Sequence, residues 1–256
     1  MNYTIVNVTA ENISEHPQAI CYNNPKHPQF HLKVDWLRDR FAEGLRLKLL
    51  YPEGEKKAQG YIEYTPGEHA FRAVSAKGYM FIHCLWVYSG TYKNRGIASI
   101  LVQDCIQDAE QNGMNGVTVL SGDSAFLTKP QVFLKNGFVQ TASSQDGLVL
   151  LTRKFREAEP PAFMDWQAAA KNYQGLHIVY TKQCPWVARF VNELADFTKQ
   201  HKFGLTITEL RTPADARNAP SLYGTFSLIN NGKLLASHYI SMTRFANIMK
   251  KEHLII

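Results

Sequence analysis

Residues Tyr92 to Ser99, "YKNRGIAS", put two cations and two small residues between an apolar run, "FIHCLWV", and a helical pattern, "ILVQDCIQDAEQNG". The unpaired backbone N–H groups of a helix start, helped by the helix dipole, make a seat for phosphate. Gly96 allows an anion close to the main chain, Ala98 is small, and Lys93 and Arg95 add positive charge. An ordinary strand-to-helix turn uses the same residue types. Both readings stand on these residues alone, and the G-x-x-x-x-G-K-[ST] phosphate loop is absent.

Two further places have chemical potential. His83 lies inside the apolar run, and an imidazole titrating near ~6.5 suits proton abstraction from an amine. A core histidine satisfied by a carbonyl has the same sequence surroundings. Glu63 and His69 are further candidates for a base on or just after the neighbouring strand. Cys184, in "TKQCPWVARF", falls between a strand and a helix start, where the dipole favours thiolate. It is either a monothiol site or a cysteine in an ordinary turn.

These residues need a scaffold. "YTIVNVT" alternates as a strand, and Phe30, Val34, Leu37 and Phe41 repeat at helical spacing up to Gly44. "LRLKLLY" and "AQGYIEYTP" read as an antiparallel pair across "PEGEKK", and "YMFIHCLWV" as a buried central strand. A helix through Ile97, Leu101, Ile106 and Ala109 follows, then the strand "GVTVLSG", a short helix in "TKPQVFLKNGF" and the strand "GLVLLTRKF". "REAEPPAF" is a linker by composition, and "DWQAAAKNYQG" a lead-in helix. Beyond it come the strand "LHIVYT", a helix from Pro185, the strand "LTITELRT", a brief helix near Pro213, a hairpin turned at Asn231-Gly232 and a final helix. The expected domains are residues 1–156, a linker and lead-in helix at 157–174, and residues 175–256.

The order of elements around "CLWVYSGTYKNRGIASILVQDCIQDAEQNG", "GVTVL" and "PQVFLKNGF" resembles the GNAT N-acetyltransferases over residues 1 to about 155. That family's cradle is written [RQ]-x-x-G-x-[GA]; here Lys93 takes the leading position. The resemblance implies an α/β (α+β) fold with a mixed, mostly antiparallel sheet, and acetyl-CoA as cosubstrate. It places the pyrophosphate on Lys93, Asn94, Arg95, Gly96, Ile97, Ala98 and Ser99. The pantetheine arm would lie along Leu85, Trp86 and Val87, where this strand splays from "GVTVL". A main-chain N–H near Leu85 or Val87 would stabilise the oxyanion as a neutral amine attacks the thioester. His83 stands where many members carry a glutamate base. Phe133 stands where they often carry a tyrosine acid, so it packs the arm but cannot give a proton. Ser124 or a water is left for that role, and a thiol with pKa near ~8.5 leaves tolerably unaided.

The second half resembles a thioredoxin-like α/β domain, with Val187 at the resolving-cysteine position and Gly224 where a cis-proline is usual. Dithiol exchange within this domain is thereby excluded, so it reads as a docking or substrate-presenting module. An acetyltransferase joined to such a tail resembles the YoaP-type proteins of bacteria. The expected activity is acetyl transfer to an amine of a small molecule or peptide. The alternatives are a non-catalytic CoA-binding module and a monothiol redox protein using Cys184.

The whole composition fits this. The 256 residues are 45% hydrophobic and 20% charged, and the net charge of +6 is scattered in short pairs, which disfavours nucleic acid as a partner. Cys21, Cys84, Cys105 and Cys184 show no C-x-x-C or metal-ligand spacing, implying reduced thiols, no metal and a cytoplasmic setting. Neither a leader nor a membrane span is expected.

Overall fold

A computed structural model describes residues 2–20, 25–88, 90–201 and 204–254; Cys21 lies outside them. The chain divides into two compact units. One comprises Met1–Asn23, Leu37–Ala70 and Val74–Phe163; the other comprises Asn24–Trp36, Phe71–Ala73 and Met164–Ile256. Among the described residues no helix is long and apolar enough to cross a membrane.

The strands of the first unit are β1 (Tyr3–Val8), β2 (Arg46–Pro52), β3 (Gly60–Pro66), β4 (Val74–Ser75), β5 (Met80–Val87), β6 (Gly116–Ser121), β7 (Val139–Ser143), β8 (Val149–Lys154) and β9 (Ala162–Phe163). Its helices are the last turns of α1 (Pro28–Phe41), then α2 (Ile97–Gln111) and α3 (Pro130–Leu134). Seven strands form one sheet in the order β1-β2-β3-β5-β6-β8-β7. Only β5 and β6 run parallel; the other pairs are antiparallel. This is the mixed, mostly antiparallel sheet expected.

The apolar stripe of α2, Leu101, Val102, Cys105, Ile106 and Ala109, is buried against Ile62, Tyr64, Met80, Ile82 and Leu85 of β3 and β5. Each such aliphatic side chain contributes about 1.5–3 kcal/mol by leaving water. Gly60 opens β3 beneath the first turn of α2. A Cβ there would collide with Ile97 and come within 2.9 Å of Leu101 Cδ1.

Two irregularities shape the centre of the sheet. Glu63 pairs with Cys84 but Tyr64 pairs with Ile82, so β5 has an extra residue, His83, at a bulge. The β5–β6 ladder, Met80↔Val117 to Ile82↔Val119, stops at the same level, while β6 goes on pairing with β8 to Ser121. A bulge increases local twist and bends its strand, so β5 leaves β6 at His83.

Two features escaped the sequence. β7, "VQTAS", is mostly exposed and lacks apolar alternation, so nothing in its pattern marked it. Ala162–Phe163, at the end of the expected linker, pairs as β9 with β4.

The second unit holds α4 (Trp166–Lys171), β10 (Leu176–Tyr180), α5 (Pro185–His201), β11 (Thr206–Glu209), α6 (Pro213–Arg217), β12 (Phe226–Asn230), β13 (Lys233–Ala236) and α7 (Met242–Lys251). Its sheet order is β11-β10-β12-β13, with β10 and β11 parallel and the other two pairs antiparallel. Ile178, Phe190, Leu194, Phe226, Leu228, Phe245 and Met249 fill its core. The hairpin turns at Asn231 (φ 47°) and Gly232 (φ 77°), as an Asn-Gly pair favours. Gly224 has φ 64°, and a Cβ on it would meet Phe71 O at 2.6 Å.

Candidate active site

The turn between β5 and α2 has the local geometry of an anion seat. Gly96 caps α2 in the left-handed region, φ 84°, and nothing lies within 4 Å of where its Cβ would stand. Asn94 is also left-handed, φ 64°. The amide of Lys93 donates to Gly90 O (3.2 Å) and that of Arg95 to Tyr92 O (3.4 Å), so these two are spent within the turn. This narrows the cradle suggested by the sequence. Among the described residues, the amides of Asn94, Gly96, Ile97, Ala98 and Ser99 make no hydrogen bond. Lys93 and Arg95 are exposed and supply charge. The Arg95 guanidinium stands 5.6 Å from the ring of Tyr92, whose hydroxyl donates to Glu55 Oε1 at 2.7 Å. That bond pushes the Tyr92 phenol upward and keeps it protonated.

Ser99 is held from outside its helix. Asn136, buried in "LKNGF", donates through Nδ2 to Ser99 Oγ (3.1 Å) and Val132 O (2.6 Å), and accepts from Gln103 Nε2 (2.9 Å). Arg153 Nη1 donates to Asn136 O at 2.8 Å. Because Ser99 accepts from Asn136, its own hydroxyl proton is left for another acceptor. A diphosphate fits this seat, on unpaired amides, an open position beside Gly96 and a hydroxyl donor.

The gap between β5 and β6 is lined by Ile82, His83, Cys84, Leu85, Val119, Leu120, Phe126, Leu127, Thr128 and Phe133. Leu85 O accepts from Thr128 Oγ1 at 2.9 Å, so it points away from β3 into the gap. The N–H of a strand residue shares the edge of its carbonyl, and the Leu85 amide therefore faces the gap too. Phe133 is buried, edge-on to Phe138 with centroids 5.6 Å apart. Trp86 is 50% exposed. Val87 packs on the α2 core at the end of the strand.

His83 and Glu63 meet at the bulge. His83 Nδ1 is 3.3 Å from Glu63 Oε1, with both side chains withdrawn from water. The Tyr61 hydroxyl donates to Glu63 Oε2 at 2.6 Å. A buried carboxylate is tolerated only with such partners. The row Tyr61–Glu63–His83 can orient an imidazole and support positive charge on it.

The remaining candidates lie elsewhere. Ser124 is exposed and does not line the gap, whereas Thr128 of the same connection does. His69 sits 3.9 Å from Glu43, not at the gap. Cys184 precedes α5, with its carbonyl accepting from Val187 and Ala188, and Val187 is buried in the core. Arg72 holds that turn by donating to Gln183 Oε1 at 2.7 Å. No disulfide joins Cys84, Cys105 and Cys184 among the described residues. A cavity of about 590 Å³ lies beside the last turns of α2, where Arg46 pairs with Asp108 and Lys48 with Asp104. Its lining shares no residue with the cradle.

Sequence reasoning missed Tyr61, Thr128, Asn136 and Gly60. Their roles arise from cross-strand and helix–strand contacts that no local pattern encodes. Only Asn136, just past the end of a short helix, was a visible signal.

The Acetyltransferase (GNAT) family model matches residues 11–138, half of the chain, and a YoaP-like model matches residues 205–247. An uncharacterized N-acetyltransferase of Bacillus subtilis (strain 168), YoaP, is 28% identical over 249 residues, covering 95% of this chain and 97% of that protein. Among solved structures, YncA of Salmonella typhimurium with acetyl-CoA is 16% identical over 62% of this chain and 98% of its own, TM-score 0.44. A ribosomal-protein-alanine N-acetyltransferase of Brucella melitensis is 16% identical over 59% and 99%, TM-score 0.45. By the extent of the family match, the chain belongs to the GNAT acetyltransferases and is an acetyl-CoA-dependent N-acetyltransferase.

Proposed function

We propose that the enzyme acetylates an amine of a small molecule or peptide, with His83 as the base and Glu63 and Tyr61 as its positioning partners. The buried Glu63–His83 pair, at the level where β5 leaves β6, carries this reading. An acceptor ammonium must lose its proton before its lone pair can attack a thioester carbonyl. His83 takes that proton, and Glu63 stabilises the resulting imidazolium at short range. The Leu85 amide, facing the gap, is the donor for the oxyanion. Phe133 gives no proton, so the coenzyme leaves as thiolate, a tolerable leaving group with pKa near ~8.5.

The cradle residues Asn94, Gly96, Ile97, Ala98 and Ser99 hold the diphosphate, and Lys93 and Arg95 act as exposed counter-charges. The pantetheine arm lies against Leu85, Val87 and Phe133. The strand order β11-β10-β12-β13 supports reading the second unit as thioredoxin-like. Its single cysteine at the start of α5 suits a docking role better than redox turnover.

The test is purified protein with acetyl-CoA and an amine panel, following release of the coenzyme thiol. Turnover on at least one amine, lost in His83→Asn, is expected. Failure to bind CoA even at millimolar concentration would defeat the proposal.

A further inference from the structure

The gap between β5 and β6 is bridged. Thr128 bonds both strands, through its hydroxyl to Leu85 O of β5 at 2.9 Å and through its carbonyl to Ser121 Oγ of β6 at 2.6 Å. The space remaining in the gap is about 10 Å³, which is roughly what one water needs and far less than an acyl chain. Two residues earlier, Phe126 is left-handed, φ 66°, and 58% exposed. A phenylalanine in that region is strained by about 1–2 kcal/mol, so residues 122–129 are held across the gap against a local cost.

We propose that Thr128 is the latch of this strap, and that the pantetheine arm must displace it. The inference rests on the acyl-CoA reading above. The Leu85 carbonyl is a gap-facing acceptor on the strand along which the arm would lie, and an arm amide N–H needs such an acceptor. Thr128 holds that carbonyl in the absence of the arm. Binding then exchanges one hydrogen bond for another, releases Phe126 from its strained conformation and opens the gap. Affinity for the arm is reduced by the latch, whereas affinity for the nucleotide end is untouched.

Calorimetry of the full chain with CoA, and with adenosine 3′-phosphate 5′-diphosphate, which lacks the arm, tests this. Thr128→Val removes the donor with little change of shape. It should tighten CoA binding about 2- to 10-fold, the worth of one hydrogen bond, and leave the nucleotide within twofold. Thr128→Ser, which keeps the hydroxyl, should match the wild type for both. In the wild type, hydrogen exchange in residues 122–129 should quicken on adding CoA and stay constant on adding the nucleotide. Unchanged or weaker CoA binding by Thr128→Val, or slower strap exchange with CoA, overturns the latch. A wild type that binds neither compound removes the acyl-CoA reading itself, a result distinguishable from normal binding with an inert Thr128.

Discussion

Glu63 Oε1 lies 3.3 Å from His83 Nδ1, across the bulge that gives β5 one residue more than β3. The same extra residue turns β5 away from β6, so one irregularity both places an imidazole and parts the two strands beside it. His83→Asn should lower kcat by about 10²- to 10⁴-fold, the span of a lost general base, with the CoA dissociation constant within twofold. Glu63→Gln should fall between this and the wild type, because the imidazole stays but its partner charge is gone. Steady-state kinetics beside calorimetry measure both, and a His83→Asn enzyme of normal kcat would make His83 a core residue.

Gly96 separates stability from binding. Gly96→Asp places a side chain in an open position at φ 84°, costing about 1–2 kcal/mol of backbone strain. A carboxylate at a helix start returns about 0.3–1 kcal/mol. Thermal melting should therefore drop by only a few degrees. CoA binding should weaken at least tenfold, since the new charge faces the diphosphate; calorimetry reads it directly.

Asn136 ties α3 to the first turn of α2, and Asn136→Ala leaves Val132 O and Gln103 Nε2 without these partners. Urea unfolding should show a loss of about 1–2 kcal/mol, from the lost hydrogen bonds of the buried Asn136 amide. CoA should also bind more weakly, because Ser99 loses the donor that orients its hydroxyl.

The second unit should lose stability in acid. Burial, then the Arg244 guanidinium 3.4 Å away, hold the His238 pKa below its usual 6.5. The unfolded chain then binds the proton more readily than the folded one. Stability contributed by neutral His238 is complete above about 6.5 and declines as pH falls from there toward the folded pKa. Melting followed between pH 7.5 and 5 should show a smaller fall in His238→Gln than in the wild type.

Much of the fold and of the candidate site was legible because the signals are local. Gly96 before an amphipathic helix, "LKNGF" after a short one and Asn231-Gly232 in a hairpin each declare their conformation to near neighbours. His83 was visible as a polar residue in an apolar strand, but its partner was not. Pairing Glu63 with it depends on a register shift, and alternation alone puts a one-residue slip on the wrong face. Thr128 carries no sequence mark of its own, and only the path of the connection brings its hydroxyl to Leu85 O. The cradle was also drawn too wide, because the 3-10 turn at Gly90–Tyr92 that absorbs the Lys93 and Arg95 amides has no strong sequence mark.

Gly60 has a consequence for the coenzyme although it stands outside the cradle. Lacking a side chain, it lets Ile97 and Leu101 settle onto the strand below. The depth of the proposed phosphate seat would thus be set from underneath, by an atom that is missing rather than one that binds. A methyl group at position 60 would raise the floor of the seat and tilt its amides before any ligand arrived.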